Sequence, residues 1–316
     1  MPDYPVKPLD LSGLRTYPLK SRKSKVGAAE LARLPKPGGS FNEFWESLPR
    51  VLAVQELRDL VSRIKKARRE GHALLWGFGA HVVKVGLSPL IIHLMEEGYV
   101  SGLALNGAGI IHDFEMALVG QTSEEVEEGL ESGEFGMAAE TGELINRAIQ
   151  EGVERGMGIG EAVGAFHEKH KPQFMRNSLL WNGYRLSIPV SVHVAVGTDI
   201  VHMHPQASGE AIGKGSHQDF RLFSAMVAKL HGGGVYLNLG SAVILPEVFL
   251  KAVSVVRNLG HPLTDFSTAN FDFIRHYRSR KNVVERPVSG SGRGFELVGH
   301  HEILVPLLAT ALVEST

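Results

Sequence analysis

Asn106, Gly107 and Gly109 stand between an apolar run at 100–105 and a helix-compatible segment. That order predicts a strand, a tight turn and a helix N-terminus. Glycine there admits positive φ and a close ligand, and the first free N–H groups of the helix favour an anion. The turn therefore reads as a nucleotide-phosphate site, although Gly-x-Gly lacks the third glycine of the dinucleotide fingerprint. The competing reading is a plain glycine turn joining a strand to a helix. His112 and Asp113 follow directly. Histidine has the intrinsic pKa of a general base, and neighbours on a helix point about 100° apart, so one of the two is expected to face a ligand.

A second cluster invites metal chemistry. His202 and His204 lie two apart, as in an extended loop, and His217 follows. Together they would offer the nitrogen ligands that zinc, iron or manganese accept, the alternative being ordinary loop histidines. The glycine-rich stretch 209–215, with Lys214, reads as a further anion cradle. Arg275, Arg278, Arg280 and Arg286 could hold a phosphate or carboxylate or form an exposed surface.

These residues need a scaffold, and the chain supplies a rhythm of strands and helices. Strands are predicted at 72–78, 100–105, 188–196, 234–239, 263–268 and 295–298, and helices at 51–70, 87–97, 219–230, 245–259 and 302–313. Such alternation implies right-handed crossovers and a mostly parallel, Rossmann-like α/β sheet covered by helices on both faces. Ligands on such sheets sit at the carboxyl ends of the strands. Five predicted strand ends are small or polar: Gly79 with His81, Asn106 with Gly107, Gly197 with Asp199, Thr268 with Asn270, and Gly299 with His300. Residues 1–45, with six prolines by position 37, read as an extended arm, and 46–316 as one α/β nucleotide-binding domain. The acidic, glycine-punctuated stretch 123–171 reads as several short helices inserted between strands.

In order, Phe-Gly-Ala-His-Val-Val-Lys-Val-Gly, Leu-Asn-Gly-Ala-Gly-Ile-Ile-His-Asp, Gly-Thr-Asp, Ser-Thr-Ala-Asn-Phe-Asp and Val-Pro-Leu-Leu-Ala-Thr-Ala-Leu resemble deoxyhypusine synthase over about 74–313. The resemblance implies an NAD-binding sheet in a homotetramer with sites between subunits, and transfer of an aminobutyl group from spermidine through an enzyme lysine. It assigns cofactor contacts to the loop 79–86 (Gly79, His81, Gly86), to Asn106, Gly107 and Gly109, to Asp199, to Thr268 and Asn270, and to Gly299 and His300. Two departures stand out. The family's ribose-binding acids fall on Ile111 and His112, and its acceptor lysine falls in 289–293, Ser-Gly-Ser-Gly-Arg. Arginine cannot be deprotonated to serve as an imine carrier, so Lys281, upstream, is the substitute to consider.

With 33 Lys+Arg against 34 Asp+Glu, nothing favours nucleic acid or an anionic membrane as partner. The absence of cysteine excludes disulfides, thiolate metal sites and thiol nucleophiles. No signal-like or membrane-spanning run is present, which makes cytoplasmic residence the expectation. The expected function is an NAD-binding, deoxyhypusine synthase-like, homo-oligomeric protein acting on a polyamine-type amine, with altered transfer chemistry. His112, Asp113 and Lys281 are its candidate catalytic residues. The alternatives are a non-catalytic nucleotide-binding paralogue and a metal-dependent enzyme using His202, His204 and His217.

Overall fold

The computed structural model describes residues 4–314. Residues 4–40 lie outside the core with nearly every side chain exposed, broken only by single turns at Leu19–Ser21 and Ala28–Glu30. Order begins at a capping box: the Ser40 hydroxyl accepts from the Glu43 N–H and the Glu43 carboxylate from the Ser40 N–H, starting α1 (Phe41–Ser47). There follow α2 (Leu52–Glu70), β1 (Leu74–Phe78), α3 (His81–Lys84), α4 (Ser88–Glu96), β2 (Gly102–Asn106) and α5 (Gly107–Val119). Four helices then precede the next strand: α6 (Val126–Ser132), α7 (Ala139–Glu154), α8 (Ile159–His170) and α9 (Leu179–Leu186). The chain closes with β3 (Val190–His193), α10 (Gly209–Ala228), β4 (Val235–Leu239), α11 (Ile244–Asn258), β5 (Phe266–Asp272), α12 (Tyr277–Ser279), a π-helical turn at Arg280–Glu285, β6 (Gly292–Val298) and α13 (His301–Glu314).

The six strands form one wholly parallel sheet in the order β3-β2-β1-β4-β5-β6. Parallel strands buried on both faces read as continuous apolar runs, as Leu74–Phe78 does. The faces still separate by alternation. Trp76, Phe78, Leu103, Leu105, Leu237, Leu239 and Phe271 join one core with α2, α4, α5 and α13. Leu75, Ala104, Tyr236 and Phe266 join a second core with α10 and α11. Each fully buried Leu or Phe contributes roughly 1.5–3 kcal/mol, so these layers dominate the favourable side of folding.

Several glycines that the sequence suggests are helix breaks are instead contact points within longer helices. A Cβ on Gly152 of α7 would lie 2.2 Å from the Ala162 Cβ of α8, and one on Gly160 would lie 1.9 Å from the Val190 carbonyl oxygen of β3. The predicted anion cradle at 209–215 is likewise the first two turns of α10, capped by Ser208. There Gly215 admits Ile159 and Val153 against the helix. Gly160→Ala therefore pushes α8 off a backbone atom that cannot rotate away. The expected loss is about 3 kcal/mol of unfolding free energy in a urea titration, against a gain of about 0.5–1 kcal/mol for Gly213→Ala, where open space surrounds the Cα and alanine is the better helix former.

Asp219 of α10 fastens the same region. Its carboxylate accepts N–H groups of Gly160 and Val192 at 3.1 and 2.8 Å, joining α8 to β3, while its second oxygen has no partner. Burial outweighs those donors and pushes the carboxyl up to about 7. The folded chain thus holds a proton that the unfolded chain releases near 3.8. The resulting stabilisation is complete below that value and disappears as pH rises through about 7, a span worth about 4 kcal/mol. Melting temperatures measured from pH 4 to 8 are expected to fall more steeply for the wild type than for Asp219→Asn; parallel curves would remove Asp219 from this role.

Candidate functional site

Because every strand is parallel, all six carboxyl ends share one edge. The strand order reverses between β1 and β4, strands being added outward to β3 on one side and to β6 on the other, which makes that point the crevice of the sheet. Gly79 and Gly240 close it: a Cβ on Gly79 would sit 3.1 Å from the Gly240 carbonyl oxygen, and Gly240 takes φ +63°. The β4 end, Gly240 with Ser241, belongs to this edge alongside the five strand ends predicted from sequence.

On the β2 and β3 side, Asn106 caps α5, its side-chain oxygen accepting the Gly109 N–H at 2.8 Å. Gly107 has a different duty from the one its sequence context suggests. A Cβ there would lie 1.9 Å from Asp199 Oδ2, so the chain's own carboxylate rests on the bare Cα at the helix N-terminus. That placement fills the predicted phosphate turn, since a carboxylate satisfies the positive end of the helix as an anion would. His202 fixes the carboxylate's loop: its Nδ1 accepts the N–H groups of Gly197 and Asp199, leaving its Nε2–H toward Asp199 Oδ2 at 3.8 Å. Burial raises the Asp199 pKa and the His202 ring lowers it, burial being the larger effect.

Beside α5 opens a cavity of about 860 Å³, walled by α5, α7, the segment carrying α6, and the loop of Asp199. Ile111, Leu118, Leu144, Phe135 and Ile200 line it with Glu115, Glu124, Glu140, Asp199 and one lysine, Lys84. The Lys84 ammonium makes no hydrogen bond or ion pair among the described residues, its backbone N–H alone donating to the Ala80 carbonyl. One network has definite proton positions. Thr141 and Thr122 donate their hydroxyl protons to the two oxygens of Glu115 at 2.9 and 2.5 Å, so the Thr122 oxygen must accept from His112 Nδ1–H at 2.7 Å. His112 Nε2 is thereby left as a bare lone pair on a cavity wall. Burial lowers the His112 pKa more than Glu115 raises it.

On the β5 and β6 side the edge is aromatic. Phe273, just past β5, stacks on His300 at 6.1 Å with 8° between planes and meets His81 and His301 at 6.1 and 6.3 Å. His81 opens α3 here and Lys84 closes it in the cavity, so this single turn joins the two halves of the edge. Gly299 follows β6, its N–H on the Asp272 carbonyl, and Gly86 ends the α3 loop in open space at φ +77°.

Other predicted site residues lie elsewhere. Asp113 points away from the crevice: fully buried, it accepts from the Ser178 hydroxyl and the Leu179 N–H and anchors the start of α9. Burial pushes its carboxyl up to about 6. Its expected catalytic role gives way to a structural one. Thr268 lies in mid-strand, donating to the Val283 carbonyl at 2.7 Å, and Asn270 accepts from Asn238 within the sheet. Both residues face the α11 layer rather than the edge. Lys281 sits in the π-helical turn paired with Glu285, outside the cavity lining. The stretch 289–293 leads into β6 at the opposite, amino edge of the sheet, where Arg293 pairs with Asp59 at 2.8 Å. The four arginines are paired individually, with Glu296, Glu247, Glu285 and Asn282, and form no anion site. Nor do the histidines assemble: His204 binds the Gly136 carbonyl, His217 lies on α10, and no group of three or more potential metal ligands gathers among the described residues. Sequence reasoning missed Glu115, Thr122, Thr141, Lys84 and Phe273. The spacing of His112 and Glu115, three apart on a helix, was the available signal.

The strand order and the edge define a Rossmann-like α/β protein. No protein-family model and no curated protein matches the chain. Solved structures do. ArgZ, an arginine dihydrolase of the cyanobacterial ornithine–ammonia cycle, is 16% identical over 85% of this chain and 34% of its own, with a TM-score of 0.51. AgrE, solved with ornithine and NAD+, is 16% identical over 82% of this chain and 32% of its own, at 0.53. An Entamoeba histolytica protein described as a candidate deoxyhypusine synthase is 12% identical over 86% of this chain and 93% of its own, at 0.52. The chain spans about a third of ArgZ and AgrE, and at these identities the likeness is one of fold. Among the described residues no helix is long and apolar enough to cross a membrane.

Proposed function

We propose that this protein binds an NAD-type dinucleotide along the carboxyl edge of its sheet and acts on a small amine held in the cavity beside α5. The observation that carries the reading is the cavity itself: a bare imidazole nitrogen surrounded by four carboxylates and one lysine at the open edge of a doubly wound sheet. The excess negative charge draws in an ammonium group, and the apolar walls reduce its hold on the proton. His112 Nε2 then accepts that proton, while Glu115, through Thr122, holds the ring with this nitrogen facing inward.

The edge suits the dinucleotide. Asp199, next to the cavity, offers a carboxylate to ribose hydroxyls, the side-chain-free crevice at Gly79 and Gly240 lets a backbone-hugging linkage pass, and the Phe273 and His300 stack offers a flat surface to an aromatic ring. Bound there, an NAD-type cofactor supplies an acceptor for hydride from the carbon bearing the amine. The likeness to AgrE, solved with ornithine and NAD+, supports both halves of the reading.

Calorimetric titration of the full chain with NAD, and then with putrescine, spermidine and ornithine in its presence, tests it. Heat and a raised melting temperature with NAD, followed by absorbance of the reduced cofactor with one of the amines, are the expected results. NAD binding without any amine response would favour a nucleotide-binding paralogue; no heat and no thermal shift with NAD would end the reading.

A further inference from the structure

His301, the first residue of α13, is 1% exposed. Its Nε2 lies 3.0 Å from the Phe271 carbonyl oxygen, which also accepts the Gly240 N–H at 2.9 Å. A carbonyl oxygen can only accept, so Nε2 carries the ring hydrogen and Nδ1 of the neutral ring is a bare lone pair. That nitrogen is buried and has no partner. Buried acceptors are nearly always satisfied, and one left open at a crevice points to a donor that arrives from outside.

The surroundings describe that donor. A Cβ on Gly240 would come 2.8 Å from the His301 ring, so glycine here lets the imidazole lie directly against the β1–β4 switch point. Exposed His81 covers the ring edge-on at 5.5 Å. Next to it Phe273, 48% exposed, presents a face continuous with His300. A bare acceptor beside an open aromatic face suits a planar ring carrying an exocyclic N–H.

We propose that His301 Nδ1 accepts the exocyclic amino group of an adenine ring stacked on Phe273, with His81 turning aside as the ring enters, and so selects adenine over its deaminated form. The inference rests on the dinucleotide reading above: the reactive ring must reach the cavity of His112, which leaves the adenine end for the β5 and β6 side of the edge. In the deaminated base a carbonyl oxygen replaces the amino group, and two acceptors then face each other.

The test uses wild-type protein with two ligands, NAD and nicotinamide hypoxanthine dinucleotide. Long-range proton–nitrogen correlation spectra of histidine-labelled protein, with the His301 signals assigned through His301→Gln, report on Nδ1 directly. The expected result is a shift of the Nδ1 resonance toward the shielded, hydrogen-bonded range with NAD and not with the analogue, together with about tenfold weaker calorimetric affinity for the analogue. Heat with NAD but an unmoved Nδ1, or equal affinity and equal shifts for both ligands, overturns the role of His301 while leaving the dinucleotide reading intact. Absence of heat with NAD overturns both.

Discussion

Asp199→Ala is expected to weaken NAD binding roughly tenfold to a hundredfold, the range for losing a hydrogen bond to a charged group. The carboxylate has been drawn into a costly position. It is buried at the start of α5, raised in pKa by that burial, steadied by His202, and seated where Gly107 has no side chain. It borders both the cavity and the crevice, so a ribose between them meets it first. Since Asp199 also rests on the α5 N-terminus, the variant is expected to lose some stability, and Asp199→Asn, which keeps the shape, separates the two effects. Titration calorimetry with a parallel melting curve decides the matter: an unchanged dissociation constant in the asparagine variant would exclude Asp199 from the nucleotide site.

The second large effect is expected at His112. Removing a positioned general base typically lowers turnover by about a hundredfold to ten-thousandfold, so His112→Gln is expected to lose at least about two orders of magnitude in kcat while NAD affinity stays within about twofold. Burial lowers the His112 pKa below its ordinary 6.5, so the neutral base persists into mildly acidic solution and the acid limb of the rate profile falls below that value. Glu115 is the second influence and acts in the opposite sense. Glu115→Gln is therefore expected to move the limb to still lower pH and to reduce kcat by loosening the ring. Full turnover in His112→Gln, measured as reduced-cofactor absorbance with saturating amine, would assign the proton transfer elsewhere.

The architecture was open to reading because its signals are local. Runs such as Leu74–Phe78 and Val235–Leu239 are apolar because both faces of a parallel sheet are buried, and helices flanking the strands end at glycines in the left-handed region, as α2 does at Gly71 and α5 at Gly120. The glycine turn leads only to the expectation that one of His112 and Asp113 faces the crevice; the cavity lining includes His112, and Asp113 is buried behind it. Where the reading diverged, the cause was long-range packing. Gly152, Gly160 and Gly215 lack side chains because neighbouring helices and strands press on them, which single-sequence punctuation cannot tell from a break. Asp113 reads as a site acid in sequence, yet its partners lie at 178–180, and only the folded chain shows it, like Asp219 with partners at 160 and 192, binding backbone N–H groups. Thr268 and Asn270 failed by register: their side chains point to the α11 layer, and the edge belongs to the residues beyond them. Lys84 stands in the 78–86 stretch without a role of its own and Glu115 carries no motif, and only the assembled cavity brings them together.

The glycine contacts that lock α7 and α8 onto β3 leave one compliant wall around the cavity beside α5. α6 buries no side chain of its own, and the loop that follows it is tied by the Glu124 carboxylate on the Gly136 N–H. Thermal breathing is concentrated where few buried contacts must break. Admission to the chamber is thus expected to fall to this acidic flap, and among the segments walling the cavity amide exchange is expected to be faster at 126–132 than where α8 meets β3. A cationic visitor would meet the flap's glutamates before it met the imidazole behind them.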